Sequence, residues 1–150
     1  MQQERQEKVY RSELTPVGFL RRSAYVFPEK VAVVHGDRRY TYQQFEERVN
    51  RLSSRLRDAG LQKHDRVAFL APNIPPLLEA HFAVPDAGCV LVPINTLLSS
   101  NEIDYILKHS GSKVLFVDAE LEELVEPLDI SAIQVIRIDD TGEEGAPYED

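Results

Sequence analysis

An α/β fold is the class this sequence predicts: an N-terminal hairpin and helices leading into a mostly parallel βαβ sheet. Two observations carry it. Short apolar runs begin at Val67, Val90, Val114 and Ile133, with helical stretches between them. Strands alternating with helices of this length imply βαβ units and a parallel sheet. The first three runs are apolar without alternation, as expected when both sheet faces are covered. The fourth, Ile133 to Ile138, alternates only weakly and suits an edge.

The elements follow in order. Thr15-Pro16 opens a short helix, with Thr as N-cap and Pro at the first helical position. Val17, Phe19 and Leu20 give its apolar side, and Phe27-Pro28 is a poor place for it to continue. Val31 to Val34 and Arg39 to Tyr42 flank His35-Gly36-Asp37-Arg38 and read as a hairpin. Thr41 with Gln44 matches a capping box. The helix it starts carries Phe45, Val49, Leu52, Leu56 and Ala59 on one stripe. Glu46, Glu47, Arg48, Arg51, Arg55 and Arg57 surround that stripe, and Gly60 suits its C-terminal cap. After Val67 to Leu70, Asn73 with Pro75 and Pro76 starts a helix carrying Leu77, Leu78 and Phe82. Pro85 is a misfit inside it, because an interior proline costs about 3 kcal/mol in a regular helix. A kink or an early end is expected there. Ser99 and Glu102 form a second capping box, followed by Ile103, Ile106 and Leu107 and closed by Gly111. Leu121, Leu124, Val125 and Leu128 mark a last short helix, broken near Pro127.

Composition excludes several functions. The net charge is −8, from 17 basic against 25 acidic residues. That argues against nucleic-acid binding, which uses clustered cations. No run is long enough to span a bilayer, and Met1 to Lys8 lacks the apolar core of a signal peptide. The expected setting is cytoplasmic. Cys89 is the lone cysteine, so no intrachain disulfide forms, and it reads as a small buried hydrophobe rather than a reactive thiol. The acidic run Asp139, Asp140, Glu143, Glu144, Glu149 and Asp150 reads as a solvated tail. The expected organisation is a flexible N-terminus at residues 1–14, one partial domain at 15–138 and an acidic linker or tail at 139–150.

A self-contained active site is not legible. The chain has seven glycines and no glycine-rich phosphate loop. His35, His64, His81 and His109 lie far apart on different elements and suit surface or capping roles. His109, just before Gly111, fits a helix C-terminus. Glu46-Glu47 and Glu122-Glu123 are sequence neighbours that point to different helix faces, so they make poor acid/base pairs. No catalytic, cofactor-binding or metal residue is assigned. Fold physics points only to the loops at the C-terminal ends of parallel strands. There Asn73 and Asn95 are ligand-loop candidates, and each equally suits capping the next helix or holding the turn. A signalling receiver domain, which Asp118 superficially suits, needs an acidic pair after the first strand. Leu70-Ala71-Pro72-Asn73 has none.

Several phrases together resemble one family. They are Phe27-Pro28-Glu29-Lys30-Val31-Ala32, Leu56-Arg57-Asp58-Ala59-Gly60-Leu61, His64-Asp65-Arg66-Val67-Ala68, Ala87 to Asn95, Glu102 to Leu107, and Lys113 to Asp118. Their order and spacing resemble the opening of AMP-forming acyl-CoA synthetases, across about Thr15 to Pro147. The resemblance implies the incomplete N-terminal subdomain of such an enzyme. It implies, for a full-length relative, ATP, Mg²⁺ and coenzyme A, and a carboxylic acid joined first to AMP and then to the thiol. The family's phosphate loop and catalytic lysine lie downstream, so the 150 residues alone are expected to need no cofactor and to be inactive. The alternative is a non-catalytic α/β interaction module that pairs with a homologous synthetase or with itself. Two positions depart from the family pattern. Leu97 stands where Arg is usual, and His64 where Gly is usual, giving up easy access to positive φ. Gly142 to Asp150 resembles an interior linker. The sheet is therefore expected to leave an edge that a longer relative covers.

Overall fold

The computed structural model describes residues 14–140 and Tyr148. Helix α1 spans Pro16–Val26, and the Thr15 hydroxyl accepts from the Gly18 N–H at 3.0 Å. The hairpin is β1 (Val31–His35) with β2 (Arg38–Thr41), antiparallel. Its turn uses Gly36 at φ 57°. Helix α2 (Tyr42–Asp58) starts on the expected capping box of Thr41 and Gln44. Phe45, Val49, Leu52 and Leu56 are buried as the stripe required, while Ala59 caps the helix and is exposed.

Four strands then form one sheet: β3 (Arg66–Leu70), β4 (Val90–Ile94), β5 (Val114–Asp118) and β6 (Gln134–Ile138). The order is β4-β3-β5-β6, and every pairing is parallel. Helix α3 (Pro75–Asp86) connects β3 to β4, and α4 (Ser100–Ser110) connects β4 to β5. Alternate residues of the central strands serve opposite faces. Val67, Phe69, Val114 and Phe116 join α1, α2 and α3 in one core. Ala68, Leu70, Leu115 and Val117 join Ile103 and Leu107 of α4 in the other. A period of two along each strand produces this division.

Several expectations change. The Val90 run was expected to be covered on both faces, but β4 is an edge strand and Val90 is 44% exposed. An edge strand has one neighbour, so its apolar side chains are only partly enclosed. The β6 run is the other edge, as its weak alternation suggested. Among the described residues nothing pairs with the outer side of either strand. Pro85 sits in the last turn of α3, which ends one residue later at Asp86, the early end expected there. The last short helix is a 3-10 turn at Ala119–Leu124, and turns follow it before β6. Pro127 lacks the N–H that a continuing helix requires.

Arg48, expected among the polar surroundings of α2, has a side chain only 9% exposed. Asp140, read as part of a solvated tail, is held by both Arg38 Nη atoms at 2.9 and 2.6 Å. The carboxylate raises the Arg38 pKa chiefly through these hydrogen bonds. Glu143, Glu144, Glu149 and Asp150, and the N-terminus through residue 13, lie outside the described residues.

Candidate functional site

The strand connections define where a ligand would sit on this sheet. The chain leaves β3 toward one face through α3 and leaves β5 toward the other through the 3-10 turn. Adjacent strands with opposite exits create a crevice beyond their C-terminal ends. Its walls begin at Ala71-Pro72-Asn73 on one side and Asp118-Ala119-Glu120 on the other. Asp118 is 6% exposed, and its carboxylate accepts from the Glu120 N–H at 3.0 Å. It thereby caps the 3-10 turn and holds one lip of the crevice.

The two asparagine candidates have separate surroundings. Asn73 is exposed and does not cap α3, whose N-cap is Ile74 without a side-chain hydrogen bond. Asn73 instead lines a groove of about 280 Å³ between the hairpin and α3. Val33, Val34, Leu77, Leu78 and His81 share that mostly apolar groove. Asn95 holds its own turn, its Oδ1 accepting from the Leu97 N–H at 3.0 Å. It follows β4 and is not among the residues of that groove. Leu97, on the same loop, is 90% exposed.

The histidines stay apart. His64, His81 and His109 are exposed, and half-buried His35 lies 3.5 Å from Asp140. His81 Nδ1 meets the Leu77 carbonyl at 2.7 Å, and the His109 ring stacks on Tyr105. Among the described residues no three His, Cys, Asp or Glu side chains gather to hold a metal ion. Cys89 is buried, and burial pushes its thiol pKa up, which disfavours the nucleophilic thiolate.

Sequence reasoning missed the ionic groups under α2 and α3. Glu79 is 1% exposed, and its Oε1 accepts from Arg48 Nε at 2.5 Å. Asp86 accepts from Arg21 at 2.7 Å, Ser53 at 2.8 Å and Arg57 at 2.8 Å. Burial opposes ionisation of Asp86, but the Ser53 and Arg57 hydrogen bonds outweigh it and lower its pKa. A signal did exist: Arg48, Leu52 and Leu56 lie four apart, so Arg48 falls on the buried stripe rather than beside it.

Comparison with known proteins agrees with this architecture. The chain is 41% identical over 113 residues to the peroxisomal butyrate–CoA ligase AAE11 of Arabidopsis thaliana, covering 75% of this chain and 20% of that one. It is 43% identical over 130 residues to 4-hydroxybutyrate–CoA ligase 2 of Metallosphaera sedula, covering 86% of this chain and 24% of that one. A crystal structure of a protein provisionally named long-chain-fatty-acid CoA ligase, from Rhodopseudomonas palustris, superposes with a TM-score of 0.82. The sequences there are 28% identical, over 92% of this chain and 36% of that one. The chain spans about a fifth to a quarter of the length of the curated relatives it matches. The model of the family described as AMP-binding enzyme matches residues 20–149. With that match running from α1 past β6, the chain belongs to the AMP-binding enzyme family and corresponds to the N-terminal part of its acyl-CoA ligases.

Proposed function

We propose that the chain supplies the N-terminal scaffold of an ATP-dependent acyl-CoA ligase and is inactive by itself. In that reaction a carboxylate oxygen attacks the α-phosphorus of ATP, and pyrophosphate leaves. The coenzyme A thiol then attacks the acyl carbon, and AMP leaves. Mg²⁺ would neutralise the phosphates. The single observation that carries the reading is the family match over residues 20–149 together with its short share of the relatives' length. In the complete reaction Asn73 and Asn95 would belong to loops beside the ligand crevice, at the C-terminal ends of β3 and β4. Two curated relatives are named for butyrate and 4-hydroxybutyrate and another for benzoate, so short and aromatic carboxylic acids are the substrate classes to test first.

The test is pyrophosphate exchange into ATP with butyrate and with 4-hydroxybutyrate. The purified chain is expected to give none above background. A chimera joining this chain to the downstream part of the Metallosphaera ligase is expected to restore it. A folded but inert chimera would overturn the scaffold reading, and exchange by the chain alone would overturn its inactivity.

The open outer sides of β4 and β6 favour a second reading, an interaction module that pairs with a full-length synthetase or with itself. Unpaired strand edges are templates for association. Sedimentation with and without a full-length relative separates the two, since an uncomplexed monomer in both runs counts against pairing. We propose the cytoplasm as the protein's setting, with the peroxisome of relatives such as AAE11 as the alternative. No helix among the described residues is long and apolar enough to cross a membrane. A fluorescent fusion that collects in an organelle would reverse that placement.

A further inference from the structure

A groove of about 600 Å³ lies between α2 and β6. Leu52, Phe116 and Ile136 give it an apolar wall, and Arg48, Glu79 and Tyr148 line it as well. The Glu79 carboxylate is almost wholly removed from water, at 1% exposed. Its two oxygens have different partners. Oε1 accepts from Arg48 Nε at 2.5 Å, and Oε2 accepts from the Tyr148 hydroxyl at 2.8 Å. The Arg48 guanidinium also lies over the Tyr40 ring, 4.9 Å from its centroid. The Tyr148 ring meets Phe116 edge to face, with centroids 6.3 Å apart at 80°.

These contacts recognise both ends of a phenol. A ring edge-on to Phe116 gains from the aromatic quadrupole. A hydroxyl aimed at a buried, ionised carboxylate makes a charge-assisted hydrogen bond, stronger than a neutral one. A toluene-like ring supplies the first contact and lacks the second. We propose that Arg48, Glu79 and Phe116 form a binding socket for a phenol, and that Tyr148 is its resident occupant. Tyr148 thereby acts as a pin on the α2–α3 body. The ligase reading is not needed for this, because the socket uses no nucleotide chemistry.

The test is chemical rescue of Tyr148→Gly, followed by thermal unfolding with p-cresol or toluene at matched concentrations. The expected result is a concentration-dependent rise in Tm with p-cresol, a smaller rise with toluene, and no rise in the unmodified chain, whose socket is full. No rise with p-cresol, an equal rise with toluene, or an equal rise in the unmodified chain overturns the proposal. Should Tyr148→Gly not fold, Tyr148→Phe carries the test in two backgrounds. It is expected to lower Tm in the natural chain. In an R48M/E79L background, which removes carboxylate and cation together, it is expected to leave Tm unchanged or raise it. An equal drop in both backgrounds overturns the socket.

Discussion

The two faces of the sheet are built differently. On one, α1, α2 and α3 pack over Val67, Phe69, Val114 and Phe116, and charged groups sit inside the layer. Glu79 with Arg48 joins α3 to α2, and Asp86 joins α3 to α1 and α2 through Arg21, Ser53 and Arg57. On the other, α4 covers Ala68, Leu70, Leu115 and Val117 with Ile103 and Leu107, and its ion pair, Lys108 with Asp104, reaches the surface through a lysine side chain 61% exposed. The difference follows from the number of bodies to be placed. One helix on a pleated surface is positioned by interdigitating side chains. Three helices can slide on one another, and directional ion pairs add a constraint that apolar contact lacks. Phe45 and Phe82, edge to face at 5.4 Å, reinforce the same α2–α3 joint.

The comparison breaks most visibly at Glu79. Glu79→Ala removes the carboxylate that both Arg48 Nε and the Tyr148 hydroxyl meet. It is expected to cost about 3–5 kcal/mol in urea unfolding, the range for removing one partner of a buried ion pair. Replacing both ions by R48M/E79L is expected to recover much of that loss, because the two desolvation penalties vanish together. A Glu79→Ala cost below about 1 kcal/mol would show that the ionic face is held by apolar contact after all.

Leu107→Ala probes the apolar face. Leu107 is 1% exposed, and its truncation is expected to cost about 3 kcal/mol through lost transfer energy and the cavity left behind. The same urea titration measures it. The two faces are expected to differ in pH response as well as in size. The Leu107→Ala loss should be constant with pH.

Acid should weaken the ionic face through Asp86. The Asp86 pKa is lowered in the fold, so its carboxylate stabilises fully above its unfolded value of about 3.9. That contribution is lost as pH falls through the lower folded value. Asp86→Asn is expected to reduce the slope of stability against pH below about 4. The slope that remains belongs in part to Asp65, lowered chiefly by its Lys113 hydrogen bond, and to Glu102, lowered chiefly by Ser99. An unchanged slope in Asp86→Asn would remove Asp86 from the comparison.

The smallest effect is expected at a site belonging to neither face. His64 has φ 71°, and among the described residues it is the one non-glycine at positive φ. The left-handed region costs an L-residue about 1–2 kcal/mol, and glycine trades that for backbone entropy. His64→Gly is therefore expected to stabilise by roughly 1 kcal/mol. Thermal unfolding of the substitution alone and on the Glu79→Ala and Leu107→Ala backgrounds should give the same gain each time. A gain that depends on background would show that the loop before β3 couples to one face.

Local rules made much of this molecule legible. Both capping boxes form where Thr41-Gln44 and Ser99-Glu102 place them, because the bonds span three residues and need no tertiary partner. The hairpin and the helix end at Phe27 follow from equally local chemistry. The resemblance, which implies glycine at position 64, was the one sequence hint of the positive φ that His64 adopts. Asn73 and Asn95 were placed on the correct loops. Which amide faces a groove and which holds its own turn depended on the hairpin packing beside α3.

What the amino-acid order determined, then, was the succession of elements, their caps and the parallel character of the sheet, all set by periodicity and short-range hydrogen bonds. The tertiary structure alone decided that β4 is an edge, since every β-run of similar apolarity looks alike until its neighbours are counted. It alone decided that Arg48 and Glu79, 31 residues apart, share a buried pair and that Tyr148 meets them. A charged side chain is normally solvated. Only the arrival of a specific partner from a distant segment offsets the cost of burying it, and no local pattern announces that arrival.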